Sequence, residues 1–307
     1  MLPSWIGRAA VLAGVAVAAT MPLAAQDTTF HMNVNLVSVF VNVTDQNGAI
    51  VGGLTKDDFA ISEDGRPQKI AVFEKQSELP LNLTLAIDTS GSVYKDRYLE
   101  KRAAKRFAQA LLRPQDQMSL IEFATYVREL TPFTNQLSQI DRGLSRLRGG
   151  DATALYDSIY LASQKLGQKD GRKVLVLVSD GGDTAENTTY AQALEQALRN
   201  EVMIYSIIDV PIEASAGRDT GGEHALITLA EQTGGKSFYA DQGGLDKAFA
   251  QVSEDLRTQY LLAYYPRNQA PGLNFHRLLV TIPRAAPGAF NIRYRTGYYS
   301  DSPAHRR

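Results

Sequence analysis

The sequence predicts a doubly wound, mostly parallel α/β sheet with helices on both faces, joined to a small β-sandwich built from the flanking segments. Three observations predict it. Between about Leu81 and Arg257, short apolar runs alternate with stretches of helical period, the pattern of strand–helix units on a parallel sheet. One run, Lys173 to Ser179 (KVLVLVS), is almost continuously apolar, as suits a central strand covered on both faces. Residues 30–78 and 259–299, on either side, carry strand-like alternation and turn signals instead of helical period, the mark of half-buried sheets.

The elements follow in order. Residues 33–43 alternate through Val34, Leu36, Val39, Val41 and Val43, and Asp45-Gln46-Asn47-Gly48 turns the chain. Phe59 to Ser62 is a short strand, and Glu63-Asp64-Gly65-Arg66-Pro67 turns into another over Lys69 to Glu74. The texture changes at Leu79-Pro80. Strands are expected at Leu83–Ile87, Gln117–Ala124, Tyr126–Leu130, Lys173–Ser179, Val202–Asp209 and Lys236–Ala240. Helices are expected at Arg97–Leu112, Leu137–Leu147, Ala154–Leu166, Tyr190–Asn200, Glu223–Thr233 and Leu245–Thr258. Leu99, Ala103, Phe107, Ala110 and Leu111 mark the inner face of the first helix. Strand texture returns at Tyr260–Tyr265, Arg277–Ile282 and Phe290–Tyr298, and residues 300–307 form a polar, frayed tail. The two flanking segments are each too small to bury much surface alone. They are expected to pair with each other, with two separate appendages as the alternative. The tyrosines at 260, 264, 265, 294, 298 and 299 are assigned to strand surface and sandwich core.

Residues 1–25 have the layout of a secretory signal. Arg8 precedes an apolar run from Ala9 to Ala19, and Ala24-Ala25 stand before Gln26. That run is short for a membrane span, which needs about 20 residues. The expectation is an extracytoplasmic protein, periplasmic or secreted, with no membrane span once the signal is removed. An uncleaved anchor is the alternative.

Composition narrows the function. The 307 residues carry a net charge of −1 and 21% charged side chains, with no basic stripe of the kind a nucleic-acid binder shows. There is no cysteine, which removes disulfides, iron–sulfur clusters, thiolate zinc sites and cysteine nucleophiles. The four histidines (His31, His224, His276, His305) are not at ligand spacing and are read as surface residues. Gly149-Gly150 and Gly181-Gly182 have no lysine at phosphate-loop spacing after them, so no nucleotide is expected.

The chemistry gathers at strand ends. The first α/β strand runs into Asp88-Thr89-Ser90-Gly91-Ser92. A second loop, Gly149-Gly150-Asp151-Ala152-Thr153, precedes a helix. The Lys173–Ser179 strand runs into Asp180-Gly181-Gly182-Asp183. In doubly wound sheets ligands bind beyond the carboxyl ends of the strands. Carboxylates and hydroxyls there are hard oxygen donors, suited to Mg²⁺, Mn²⁺ or Ca²⁺. Asp151 and Asp183 are assigned to solvated loops and Asp157 to a structural role. The small, Gly-rich stretch Ala214–Gly222 reads as a flexible loop.

Asp88-x-Ser90-x-Ser92, then Thr153, then Asp180-Gly181 resembles the metal-ion-dependent adhesion site of von Willebrand factor A domains, and the strand–helix series from Leu81 to Arg257 fits that fold. The overall layout, ending in Gly297-Tyr298-Tyr299, resembles secreted bacterial A-domain-related proteins. Asp151-Ala152 separates the Gly149-Gly150 pair from Thr153-Ala154-Leu155, which that family's pattern joins directly. The changes of texture set the boundaries 30–78, 79–258 and 259–299. The resemblance implies a divalent ion held by Asp88, Ser90, Ser92, Thr153 and Asp180, with one position open to an Asp or Glu of a partner protein. It implies an interaction module and not an enzyme. The alternatives are a structural envelope protein with a vestigial or stabilising metal site, and a metal-dependent hydrolase. The hydrolase lacks support: the three site loops contain no Lys, Arg or His to clamp a phosphate or act as base.

Overall fold

The computed structural model describes residues 36–75, 78–91, 97–185, 187–209, 219–240, 244–267 and 274–300. Residues 1–25, read as a signal, lie outside the described residues, as do Ser92 and residues 301–307 of the tail.

The described residues begin with four strands: β1 (Val37–Asp45), β2 (Ala60–Glu63), β3 (Arg66–Gln68) and β4 (Ile70–Lys75). Asp64 and Gly65 turn β2 into β3 with φ of 49° and 76°, the left-handed conformation that Asp-Gly pairs suit. None of these strands pairs with the sheet that follows them. The next run alternates β5 (Leu81–Asp88), α1 (Arg97–Leu111), β6 (Gln117–Phe123), β7 (Val127–Thr134), α2 (Leu137–Leu144), α3 (Leu155–Leu166), β8 (Arg172–Ser179), α4 (Tyr190–Arg199), β9 (Met203–Ile208), α5 (Thr220–Thr233), β10 (Ser237–Tyr239) and α6 (Gly244–Arg257). Its strands form one six-stranded sheet in the order β10-β9-β8-β5-β6-β7. All neighbours are parallel except β6 and β7, which form an antiparallel hairpin.

Every residue of β5 and β8 is buried. Side-chain alternation divides these strands between two cores. Leu83, Leu85, Ile87, Val174, Val176 and Val178 face α1, α2 and α6. Ala86, Leu175 and Leu177 face α3, α4 and α5. On α1, Ala103, Phe107 and Leu111 are buried as read, while Ala110 is exposed and Ala108 takes its place inside. The side chain of Leu99 lies outside the described residues.

The chain returns through β11 (Tyr260–Tyr264), β12 (Phe275–Thr281), β13 (Phe290–Arg293) and β14 (Gly297–Tyr299). These strands complete two four-stranded sheets, β13-β1-β11-β4 and β14-β12-β2-β3. Val39, Val41, Leu262 and Tyr264 from one sheet share a core with Ile61, Val280 and Tyr298 from the other. The fold class is therefore as the sequence predicts, sandwich included.

Two readings need correction. Residues 290–298 are not one strand: β13 and β14 belong to different sheets. The break at residues 294–296 is fixed by tertiary contacts. The Thr296 amide donates to the Gln232 carbonyl at 3.0 Å, and Arg295 reaches Glu201 and the Ser38 carbonyl. Period-two texture cannot register such a crossing. The second correction concerns residues 220–222, which are not loop but the first turn of α5. The Asp219 side chain accepts from the Gly222 amide at 2.9 Å and caps it. Gly222 permits close packing instead: a Cβ on it would lie 2.1 Å from the Gly181 carbonyl oxygen. The rest of that stretch, to Arg218, lies outside the described residues.

Candidate metal centre

From β5 the chain moves to β6 on one side, then crosses to β8 and β9 on the other. The strand order therefore reverses between β5 and β8, the switch point beyond whose carboxyl ends doubly wound sheets bind ligands. Asp88, the last residue of β5, is only 1% exposed. Its Oδ1 accepts from the Ser90 amide at 2.9 Å, and its Oδ2 accepts from the Ser179 hydroxyl at 2.7 Å. Ser179 also accepts from the Gly181 amide at 3.1 Å. The carboxylate that ends one strand thus positions the loop that leaves the next.

The second loop is sewn to both. Ser90 bridges Gly150 in parallel fashion, and the Gly150 amide donates to the Thr89 carbonyl at 3.2 Å. A Cβ on Gly150 would lie 2.7 Å from that of Ala124, so the loop needs glycine there. Thr153 and Thr184 exchange two bonds: the Thr153 amide donates to Thr184 Oγ1 at 2.8 Å, and the Thr184 amide donates to the Thr153 carbonyl at 2.9 Å. Ser90 and Thr153 are buried and Asp180 is half-buried. The structure thus brings Asp88, Ser90, Thr153 and Asp180 to one end of one sheet. Ser92 lies outside the described residues.

The electrostatics fit a cation. Burial pushes the Asp88 carboxyl up to about 6, hydrogen bonds from Ser179 and Ser90 pull it down, and the charge of Asp180 raises it further. Asp183 and Asp219 act at the same end, both adding to the burial that raises the Tyr156 hydroxyl. A buried carboxylate raised by the charge of a second one favours a dication, and two carboxylates with hydroxyls form a hard oxygen donor set.

Sequence reasoning missed the supporting residues. Ser179 fixes Asp88, and its only signal was its place at the end of a buried strand. Asp183 is not simply a solvated loop acid. It accepts from the Tyr156 amide at 3.1 Å and satisfies the first turn of α3. Asp151 is exposed, as read. Asp157 is structural, accepting from Asn187 at 2.9 Å and from the Thr188 hydroxyl. His224 is exposed on α5, but His276 is 1% exposed and bonded to Asp64. Its reading as a surface residue is therefore wrong, because its pairing with Tyr298 of β14 and its bond to Asp64, 212 positions away, leave no local signal.

Residues 83–183 match the von Willebrand factor type A domain family model. The matched segment begins inside β5 and takes in β8 and all three site loops. No curated protein matches the chain by sequence. Among solved structures, the chain is similar to an aerotolerance-related membrane protein from Bacteroides fragilis, at 18% identity and a TM-score of 0.45, over 57% of this chain and 98% of that one. It is also similar to the PilB minor pilin from Streptococcus sanguinis, at 13% identity and 0.47, over 59% and 62%. A third is the type V pili tip protein Mfa5 domain from Porphyromonas gingivalis, at 12% identity and 0.45, over 57% and 94%. No helix among the described residues is long and apolar enough to cross a membrane.

Proposed function

We propose that this chain is an extracytoplasmic, non-enzymatic protein-binding module whose A-domain segment engages its partner through a divalent cation. Asp88, Ser90, Ser92, Thr153 and Asp180 would hold the ion, Mg²⁺ in the first instance, with Mn²⁺ or Ca²⁺ as substitutes. The bound ion supplies an open coordination position for an Asp or Glu carboxylate of the partner protein. Asp88 and Asp180 supply charge, the hydroxyls of Ser90, Ser92 and Thr153 supply neutral donors, and Ser179 keeps Asp88 oriented. Too few protein carboxylates to saturate the ion leave it attractive to a third.

The observation that carries the reading is Asp88: a carboxylate buried at the topological switch point, destabilised in its charged form, beside a second carboxylate and a hydroxyl-bearing loop. The absence of Lys, Arg and His from the three loops argues for binding over hydrolysis. The pattern of residues 1–25 supports export, and N-terminal sequencing of the mature protein would test it.

The decisive experiment is calorimetric titration with Mg²⁺ and Mn²⁺ of the wild type and Asp180→Ala, followed by capture of carboxylate-bearing protein ligands with and without chelator. Saturable binding in the wild type alone, with chelator-sensitive capture, is expected. Partner binding that survives Asp180→Ala and chelator would instead favour a structural envelope protein with a vestigial site. Turnover in a phosphatase and esterase screen would restore the enzyme reading.

A further inference from the structure

We propose that Glu63, Asp64 and His276 form a second metal site, for a borderline divalent transition ion such as Zn²⁺, independent of the loops around Asp88. Glu63 ends β2, Asp64 is the first residue of the turn that follows, and His276 lies on β12. One ligand atom from each lies within 4.8 Å of the others. His276 Nδ1 is 2.7 Å from Asp64 Oδ2 and 3.7 Å from Glu63 Oε1. A tetrahedral zinc with bonds of about 2.0–2.2 Å sets its ligand atoms roughly 3.3 Å apart. The two observed separations bracket that value.

The remaining carboxylate oxygens are already held. Glu63 Oε2 accepts from the hydroxyls of Tyr264 at 2.5 Å and Tyr298 at 2.9 Å. Asp64 Oδ1 accepts from the Arg277 amide at 2.9 Å. Each carboxylate is therefore anchored through one oxygen and presents the other to the imidazole, the outer-shell arrangement that orients metal ligands. A His–Asp hydrogen bond alone accounts for the 2.7 Å contact. It leaves Glu63 Oε1 beyond hydrogen-bond range of that nitrogen.

Charge and donor type agree. Glu63 and His276 are 2% and 1% exposed. A dication with two carboxylates and a neutral imidazole is net neutral, which suits a buried site. An imidazole nitrogen among the donors favours Zn²⁺, Co²⁺ or Ni²⁺ over Mg²⁺. The Asp64 side chain, 23% exposed, is the side open to entry and to a fourth ligand. The ion would tie together residues 212 positions apart in the chain.

The test uses the full chain carrying Asp88→Ala, which silences the first site, so that failure of either proposal is separable. Zn²⁺ is titrated against a chromophoric chelator, and Co²⁺ is followed by its visible absorption. One saturable equivalent with tetrahedral-type Co²⁺ bands is expected. Asp64→Asn should abolish it, since Asn tolerates the left-handed turn but removes the charged ligand. Tyr264→Phe, which loses only an outer-shell donor, should weaken binding by about 10- to 100-fold. Circular dichroism checks that each variant is folded. Absence of Zn²⁺ binding in the folded Asp88→Ala chain, or binding unchanged by Asp64→Asn, would overturn the proposal.

Discussion

Asp88 shows how a single residue carries both cost and function. An ordinary aspartate ionises near 3.8, whereas this one ionises at about 6, so at neutral pH its charge costs the metal-free fold roughly 3 kcal/mol. Between the two values the folded chain holds a proton that the unfolded chain has lost, so stability from this group falls as pH rises. In chelator, Asp88→Asn should therefore be more stable than wild type at pH 7, by about 1–3 kcal/mol, with the advantage gone near pH 4. Urea midpoints at both pH values check this. An advantage that did not change with pH would refute it. Gly181 is constrained differently. Its φ is 103°, and a Cβ there would lie 2.5 Å from the Gly222 carbonyl carbon. Gly181→Ala should cost at least about 1–3 kcal/mol and weaken Mg²⁺ binding, because the loop bearing Asp180 must move. Calorimetry on this variant reads both effects.

At the scale of elements, Asp255 links α6 to the sandwich and to the central sheet. Asp255 on α6 accepts from Arg293 of β13 at 2.6 and 2.9 Å and from the Tyr205 hydroxyl of β9 at 2.6 Å. Its backbone carbonyl accepts from Asn42 of β1 at 2.8 Å. Asp255 and Tyr205 are buried, so removing the guanidinium strands a charge. Arg293→Met should cost about 3–5 kcal/mol. The double change Arg293→Met with Asp255→Leu should recover much of that cost, because no unpaired charge remains. Equal losses in single and double variants, measured by denaturant unfolding, would show that the pair's charge is not what matters. The helix boundaries obey the same logic. The sequence marked α3 through Leu155, Ile159, Ala162 and Leu166, and all four are buried. It placed the start of α5 three residues late, because Gly221-Gly222 looks like a loop until Gly181 is seen against it.

For the whole molecule, the first strand β1 pairs with strands that follow the central sheet, so the chain from β5 to α6 is an insertion held at both ends. Val37 to Val41 pair with β11, and Asn42 to Asp45 pair with β13. A ligand that binds only the folded A-domain segment should therefore raise the stability of that segment by mass action. At Mg²⁺ one-hundred-fold above its dissociation constant the gain is about 2.7 kcal/mol, a shift of several degrees in Tm. Scanning calorimetry with Mg²⁺ against chelator should show that shift in wild type and none in Asp180→Ala. An equal shift in both would place Mg²⁺ elsewhere.

What the sequence determined by itself was everything written in local pattern. Continuous apolar runs marked the buried strands, helical period marked the helices, and residue types at strand ends marked Asp88, Ser90, Ser92, Thr153 and Asp180 as one candidate set. Tertiary structure decided what depends on distant partners. It split residues 290–298 between two sheets through contacts to Gln232, Glu201 and Ser38. It buried His276 against Asp64, 212 positions away. It gave Ser179 and Asp183 their supporting roles. The physical reason is common to all four cases: side-chain period is set by neighbours in the chain, whereas burial and hydrogen-bond partners are set by whichever segments the fold brings alongside.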